Sequence, residues 1–367
     1  MTDSRVVYRI DLAQLEENFA FIRRCAKSCE LMPVLKYDAY GMGAEKIGGT
    51  LKKSGASRFA AATLDEALQL RKMVDDVQIL GLLMPWEVRE AVAAGIICSV
   101  DNIAVARMIS DEAIRQNKSV RIAVKLDTGM GRLGIKPEKA AGYIETISKL
   151  PGLEMDSLFS HFSTASQPDI FFASLQIDRF LKIKELLDSA GIRFKYYHHA
   201  AGDAIVKIPR ATDKPFNLAR PGGMMYGDDF SAPCKQVVEL ATVIGEIREL
   251  APGDSVGYFR TYITPAHRKA AVLPAGYADG LPLALSNRGK VIIRGEYCPI
   301  IGRISMDYTI VDISHLDCVA AGDEVVLLGK RGDKEITVGE WGKIKNTHGH
   351  NIWCSIGNRV KREYING

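Results

Sequence analysis

Five places in this chain put a chemically capable side chain at or just after the end of a short apolar run. Lys36 follows Pro33-Val34-Leu35, and Lys125 and Arg132 bracket Leu126-Asp127-Thr128-Gly129-Met130-Gly131. His161 follows Leu158-Phe159-Ser160, His199 follows Phe194 to His198, and Arg220 follows Phe216 to Ala219. An ammonium leaving an apolar strand is partly desolvated, and a lysine that can give up its proton can form a Schiff base with an aldehyde. Gly222 and Gly223 come just after Arg220, and bare backbone N–H groups of this kind receive phosphate. Taken singly, each position has a plain alternative: a surface lysine, a packed histidine, a glycine turn. Their recurrence at the same point of five runs points to one site.

The elements that must position them repeat a single pattern. Leu31–Leu35, Phe59–Ala62, Gln78–Leu82, Ile97–Val100, Val120–Leu126, Glu154–Phe159, Phe194–His198 and Phe216–Ala219 read as strands, separated by stretches with helical apolar spacing. Eight such repeats predict an α/β fold, an N-terminal (β/α)8 TIM-type barrel, whose active site lies at the carboxyl ends of its strands. Asp11 with Gln14 and Thr63 with Glu66 have the residue types of capping boxes, and Asp101 opens another helix. After about residue 235 the apolar spacing changes to period two, in Val256-Gly257-Tyr258, Lys269–Leu273, Val291–Ile293, Tyr308–Val311 and Val325–Leu328. This predicts a mainly β C-terminal domain over 233–367 after a barrel over 1–232, joined by a linker at Asp228–Pro233.

Composition narrows the function. With 367 residues the chain has room for about two domains, and 47% apolar against 25% charged residues excludes disorder for its bulk. The 48 basic and 44 acidic residues leave +4, scattered rather than gathered, so neither nucleic acid nor a membrane is an expected partner. Seven cysteines, an odd number, predict free thiols and a reducing, cytoplasmic setting. The opening residues carry no apolar core or cleavage site, so no export signal is expected, and the longest apolar stretch, Ala91 to Cys98, is too short for a membrane helix. Small-molecule chemistry is the expectation.

Val34-Leu35-Lys36-Tyr37-Asp38-Ala39-Tyr40-Gly41-Met42-Gly43 resembles the cofactor-lysine signature of the alanine racemases. Ala62 to Ala67, Lys125 to Gly134, Gly276-Tyr277-Ala278-Asp279-Gly280 and Gly302 to Asp307 are similar to four further blocks of that family, in family order along nearly the whole chain. The resemblance implies a pyridoxal 5′-phosphate enzyme that racemises a small amino acid, most readily alanine, as a homodimer with active sites shared between subunits.

It also implies roles. Lys36 would carry the cofactor and serve as base on the D face, and Tyr258 would be the base on the L face, although Gly257 and Phe259 depart from the family's usual flanking residues. Arg220 would face the pyridine nitrogen and His161 would stack beside the ring. Arg132 would support the cofactor's phenolic oxygen and the substrate carboxylate, and Lys125 occupies the position often carbamylated. Tyr40, Gly222 and Gly223 would hold the phosphate. Gly202 stands where a serine is usual, and Asp38 and Met42 replace the more usual Asn and His. Met306 and Tyr277 would come from the partner subunit, to orient the substrate carboxylate and to line the entrance. His350 takes the place of a gatekeeping tyrosine, which predicts a roomier pocket and measurable activity on serine. No metal is expected. The rival readings are a racemase preferring serine or another amino acid, a metal-assisted D-amino-acid lyase using His348 or His350 with Cys354, and a non-enzymatic cofactor-binding protein.

Overall fold

A computed structural model describes residues 4–228 and 234–367. Of the expected linker Asp228–Pro233, only Asp228 lies among the described residues. The chain forms two compact units, one of Glu16–Ala39 with Gly43–Met225, the other of Met1–Leu15, Tyr40–Met42 and Tyr226–Gly367.

The chain opens with β1 (Val6–Asp11) and the helix Leu12–Cys25, whose capping reads as expected: Gln14 N–H donates to Asp11 Oδ1 at 2.9 Å. Eight short strands follow: β2 (Glu30–Leu31), β3 (Arg58–Ala61), β4 (Asp76–Ile79), β5 (Cys98–Val100), β6 (Val120–Lys125), β7 (Leu153–Phe159), β8 (Tyr196–His198) and β9 (Leu218–Ala219). All eight predicted runs are present. β5 to β8 form a parallel sheet, β3 pairs with β4, and β9 pairs with β2. Parallel bridges Val34 with Ala60, Gln78 with Ile97, and Ala201 with Arg220 close the ring. Helices stand between the strands, the longest being Phe171–Ser189. Burying the strands on both faces explains their unbroken apolar runs; Phe59, Ile97, Ala123, Phe159 and Leu218 are among the buried side chains.

Thr63 caps the helix Leu64–Arg71 as predicted, accepting from Glu66 N–H. The helix expected to open at Asp101 is capped one residue later, by Asn102, whose side chain accepts from Val105 N–H at 2.9 Å.

In the second unit, β10 (Val238–Val243) pairs antiparallel with β1 and with Glu324–Arg331, while Lys361–Ile365 runs parallel to β1 on its other side. By its pairing β1 therefore belongs to this sheet; the β-branched and aromatic residues of Val6–Ile10 favour a strand but say nothing of which sheet it joins. A three-stranded sheet of Glu246–Leu250, Arg268–Leu273 and Thr309–Asp312 accompanies it. Among the described residues no helix is long and apolar enough to cross a membrane.

Candidate active site

Lys36 opens a turn of unusual hand. Tyr37, Asp38, Ala39, Tyr40 and Gly41 all have positive φ, between 50° and 82°. Each non-glycine residue in such a left-handed turn costs roughly 1–2 kcal/mol, so the surroundings must impose it. Tyr37 N–H donates to Glu66 Oε1 at 2.6 Å, Ala39 N–H to the Leu35 carbonyl at 2.9 Å, and Ala44 N–H to Asp38 Oδ1 at 2.7 Å. Strain of this kind gathers at functional sites. Lys36 itself is exposed at the mouth of the barrel unit, so the desolvation expected of it is not realised within this chain: the strand ends before it, and the turn lifts it clear of the packed ring.

The desolvated lysine is Lys125, on the last turn of pleat in β6. It is 7% exposed, with its Nζ 3.5 Å from the Leu80 carbonyl and 5.3 Å from the centre of the Phe159 ring. Burial, then the charges of Arg220 and Arg132, push its ammonium down to about 8. A recess lined in part by Ser99, Asp101 and Leu133 opens beside it. Arg220, after β9, is buried, and burial brings it down to about 9, still protonated at neutral pH. Its Nη2 donates to the carbonyls of Ser160 at 2.7 Å and His199 at 3.2 Å, and its Nη1 to the carbonyl and the Nδ1 of His198. No carboxylate pairs with it among the described residues. His161 is pushed down to about 3 by burial and by the charges of Arg220, Arg132, Lys125 and Lys36. Four cations therefore converge on one neutral imidazole.

Two further imidazoles lie under them, both buried and both held well below the usual histidine range, first by burial and then by Arg220. His198 stacks on Phe159, rings 5.0 Å apart, and accepting from Arg220 at Nδ1 places its own proton on Nε2. His199 stacks on Phe162 at 3.8 Å and so is packed rather than presented to the mouth. Its Nε2 lies 3.5 Å from Thr128 Oγ1. The Ser160 hydroxyl donates to the Leu126 carbonyl at 2.8 Å, so the Thr128 hydroxyl donates to Ser160 Oγ, also 2.8 Å away, and His199 donates to Thr128.

The glycines sit where bare backbone is useful. Gly202 follows the Ala201–Arg220 bridge with φ +50°, and a Cβ built on it meets nothing within 4 Å, so the space there is open. Gly222 and Gly223 are buried at the start of the short turn Gly223–Tyr226. Arg132 is exposed at the end of its loop.

The remaining candidates belong to the second unit and form two groups. The ring of Tyr40 lies 5.4 Å from those of Tyr226 and His350, and His350 lies 5.6 Å from Trp353. His350 Nε2 meets Asp228 Oδ2 at 3.1 Å. Among the described residues no group of three or more His, Cys, Asp and Glu side chains is arranged to hold a metal ion.

The other group is an exposed apolar patch. Tyr258 was expected on a strand, but the strand ends at Val256 because Gly257 takes φ +71°, and Tyr258–Arg260 form a short turn instead. Tyr258 is 65% exposed, Phe259 81% and Met306 52%, with Tyr277 and Tyr308 beside them in exposure. The segments are knit together: Tyr277 N–H donates to the Ser305 carbonyl at 3.0 Å, Ala278 N–H to that of Met306 at 3.1 Å, and the Arg303 guanidinium lies 5.3 Å from the Phe259 ring centre.

Sequence reasoning missed His198, Thr128, Ser160, Gln176 and the His350 partner Asp228. Gln176 left a signal: it falls in the buried stripe Ala173, Gln176, Ile177, Phe180 of the helix Phe171–Ser189, where an amide needs a reason.

Two family models match. The one described as the alanine racemase N-terminal domain covers residues 10–229, and that of the alanine racemase C-terminal domain covers 237–364. The alanine racemase of Carboxydothermus hydrogenoformans is 36% identical over 365 residues, 97% of this chain and 98% of its own. That of Clostridium tetani is 35% identical over 367 residues, 97% of this chain and 94% of its own. Among solved structures, the alanine racemase of D-cycloserine-producing Streptomyces lavendulae matches with TM-score 0.93 at 30% identity, covering 100% of this chain and 98% of that one. The alanine racemase of Bartonella henselae, described with covalently bound pyridoxal phosphate, matches with TM-score 0.90 at 27% identity over 99% of this chain and 100% of that one.

Proposed function

Because this chain belongs to the alanine racemase family and is an amino-acid racemase, an isomerase, we propose that it interconverts L- and D-alanine with two bases. Lys36 acts on the D face of the α-carbon and Tyr258 of the partner subunit on the L face. The cofactor is pyridoxal 5′-phosphate, which when bound supplies the electron sink that a weakly acidic α-proton requires. The observation that carries the reading is the convergence of Lys36, Lys125, Arg132 and Arg220 on neutral His161, a cationic barrel mouth made for an anionic ligand.

The residues present fit that group. Arg220 is a buried cation, still protonated at neutral pH, whose donors among the described residues go to carbonyls and an imidazole that fix its position, and it would face the cofactor's ring nitrogen. His161, kept neutral, adds an uncharged ring face. Gly202, Gly222 and Gly223 offer backbone N–H groups for the phosphate, with the Tyr40 hydroxyl. Lys36 would hold the cofactor, and its amine would serve as the base on the D face. Arg132 and the Met306 N–H of the partner subunit orient the substrate carboxylate, and Tyr277 of the partner subunit lines the entrance. Lys125, held near neutral, has the free amine that takes up carbon dioxide, and its carbamate would hold Arg132. His350, shorter than a phenol, leaves room for serine. The exposed patch around Tyr258, Phe259 and Met306 supports a homodimer with shared sites. Among the described residues no disulfide is formed, which fits a reducing, cytoplasmic setting.

Chiral chromatography of L-alanine and L-serine incubated with the holoenzyme tests the substrate, and loss of all turnover in Lys36→Ala is expected. In deuterated water, Tyr258→Phe should nearly abolish α-proton exchange of L-alanine while sparing D-alanine. Equal loss for both enantiomers overturns the two-base assignment. Mixing Lys36→Ala with Tyr258→Phe subunits should restore activity through one intact shared site; no recovery despite mixed dimers argues against sharing.

A further inference from the structure

We propose that Gln176 is a positioning residue whose side-chain amide locks together the segment that carries His161 and the loop that carries Arg132. The proposal rests on the roles given above to those two residues.

The geometry is a saturated amide. Gln176 is fully buried on the helix Phe171–Ser189. Its Nε2 donates to the His161 carbonyl at 3.0 Å and to Thr128 Oγ1 at 3.3 Å. Its Oε1 accepts from Ser163 N–H at 3.1 Å and from the Ser163 hydroxyl at 3.3 Å. A glutamine amide has two donors and two acceptor lone pairs, and all four are used. A carbonyl can only accept and a peptide N–H can only donate, so the His161 carbonyl and the Ser163 N–H fix which end of the amide is which. No other side chain reproduces this pattern at that length.

What the amide joins are two loops from neighbouring strands. Thr128 lies between β6 and Arg132, in a loop whose glycine N–H groups, Gly129 at 3.1 Å and Gly131 at 2.9 Å, donate to Asp127 Oδ1. His161 and Ser163 follow β7. The same helix grips the first loop twice more: Arg179 Nη1 donates to the Thr128 carbonyl at 2.8 Å, and a Cβ on Gly129 would meet the Phe172 ring at 2.8 Å. Thr128 passes the constraint inward, through Ser160 Oγ to the Leu126 carbonyl. The spacing between an imidazole that stacks on the cofactor and a guanidinium that receives the substrate carboxylate is thus set by one amide behind both, in contact with neither ligand.

The test compares wild type, Q176M, Q176E and S163A as holoenzymes. Five quantities are measured: pyridoxal 5′-phosphate affinity by absorbance titration, the visible circular dichroism of bound cofactor, KM and kcat for L-alanine, and the thermal midpoint. Misplacing binding groups by a fraction of an ångström should weaken cofactor affinity and raise the KM of Q176M about tenfold, with a changed dichroic band. Q176E keeps the acceptor for Ser163 and should fall between Q176M and wild type, and S163A, which keeps the peptide N–H, should resemble wild type. A Q176M that loses only thermal stability, with cofactor affinity, dichroism and KM unchanged, overturns the proposal. Should Q176M not fold, wild-type values in Q176E overturn it equally. Failure of wild type itself to take up the cofactor would overturn the racemase reading instead.

Discussion

The two ends of the barrel unit treat buried charge in opposite ways. At the amino end, Arg58 is fully buried, yet both its terminal nitrogens reach Asp156, at 2.8 and 3.0 Å, and one also reaches Asp76 at 3.0 Å. Arg121 completes the set at 2.7 Å from Asp76, and the Arg58 guanidinium lies 4.3 Å from the Tyr196 ring centre. Burial works against the charge of Arg58, but Asp156 and Asp76 outweigh it and hold the guanidinium above its ordinary range; burial likewise opposes the charge of Asp76, which Arg121 and Arg58 outweigh. At the carboxyl end no carboxylate forms an ion pair with Lys125 or Arg220 among the described residues, and both are pushed down instead. Matched charge closes one end, and at the other, among the described residues, cations are left without a paired carboxylate, as the proposed anionic cofactor requires. The same eight strands supply both, because in a barrel of this kind the amino ends of the strands serve stability and the carboxyl ends face the mouth.

Breaking the matched end should cost most. Arg58→Met leaves Asp156 buried without its partner and should destabilise folding by about 3–5 kcal/mol in chemical denaturation. At this end stability should also fall as pH drops through about 4, because a carboxylate lowered in the folded state, as Asp76 is, contributes above its unfolded value and loses that contribution on protonation.

The unmatched end should show the same slope, higher pH favouring folding, for the opposite reason: there burial disfavours the charged form instead of partners favouring it. Between about 8, where folded Lys125 loses its proton, and its ordinary 10.5, the unfolded chain binds the extra proton, so folding strengthens as pH rises, by about 3 kcal/mol at most. Melting curves across that interval, in buffers free of carbon dioxide, should rise in wild type relative to Lys125→Met. Parallel curves would show that Lys125 is not charged and strained below pH 8.

Smaller effects sharpen the contrast. Arg121 is half-buried and shares Asp76 with Arg58, so Arg121→Met should cost only about 0.5–1 kcal/mol. At the other end, His161 near 3 is neutral throughout the working range, and His161→Phe should leave the acid limb of the kcat/KM profile where it was. A shifted limb would make His161 a titrating member of the site.

Much of this was legible in the residues. Lys36, Lys125, His161 and Arg220 end apolar runs, and a strand's carboxyl end is where a barrel opens, so run and residue type together marked the candidate site. What failed was the environment of individual groups. Lys36 and Lys125 follow similar runs, yet the first is exposed and the second buried, because a left-handed turn begins directly after Lys36. Four consecutive non-glycine residues with positive φ have no local preference to announce them. Tyr258 read as a strand residue for the same reason, since only the conformation of Gly257 ends that strand.

The sequence alone determined the alternation of elements, the change of period near residue 235 and the identity of the side chains at the strand ends, because periodicity and residue type act over a few neighbours. Tertiary structure alone decided that β1 joins the sheet of the second unit, that Arg58 finds Asp156 98 residues away, and that Gln176 bonds to Thr128 48 residues away. Partners so distant meet only after the chain closes, and a buried polar group takes its charge and orientation from whatever partner it then meets.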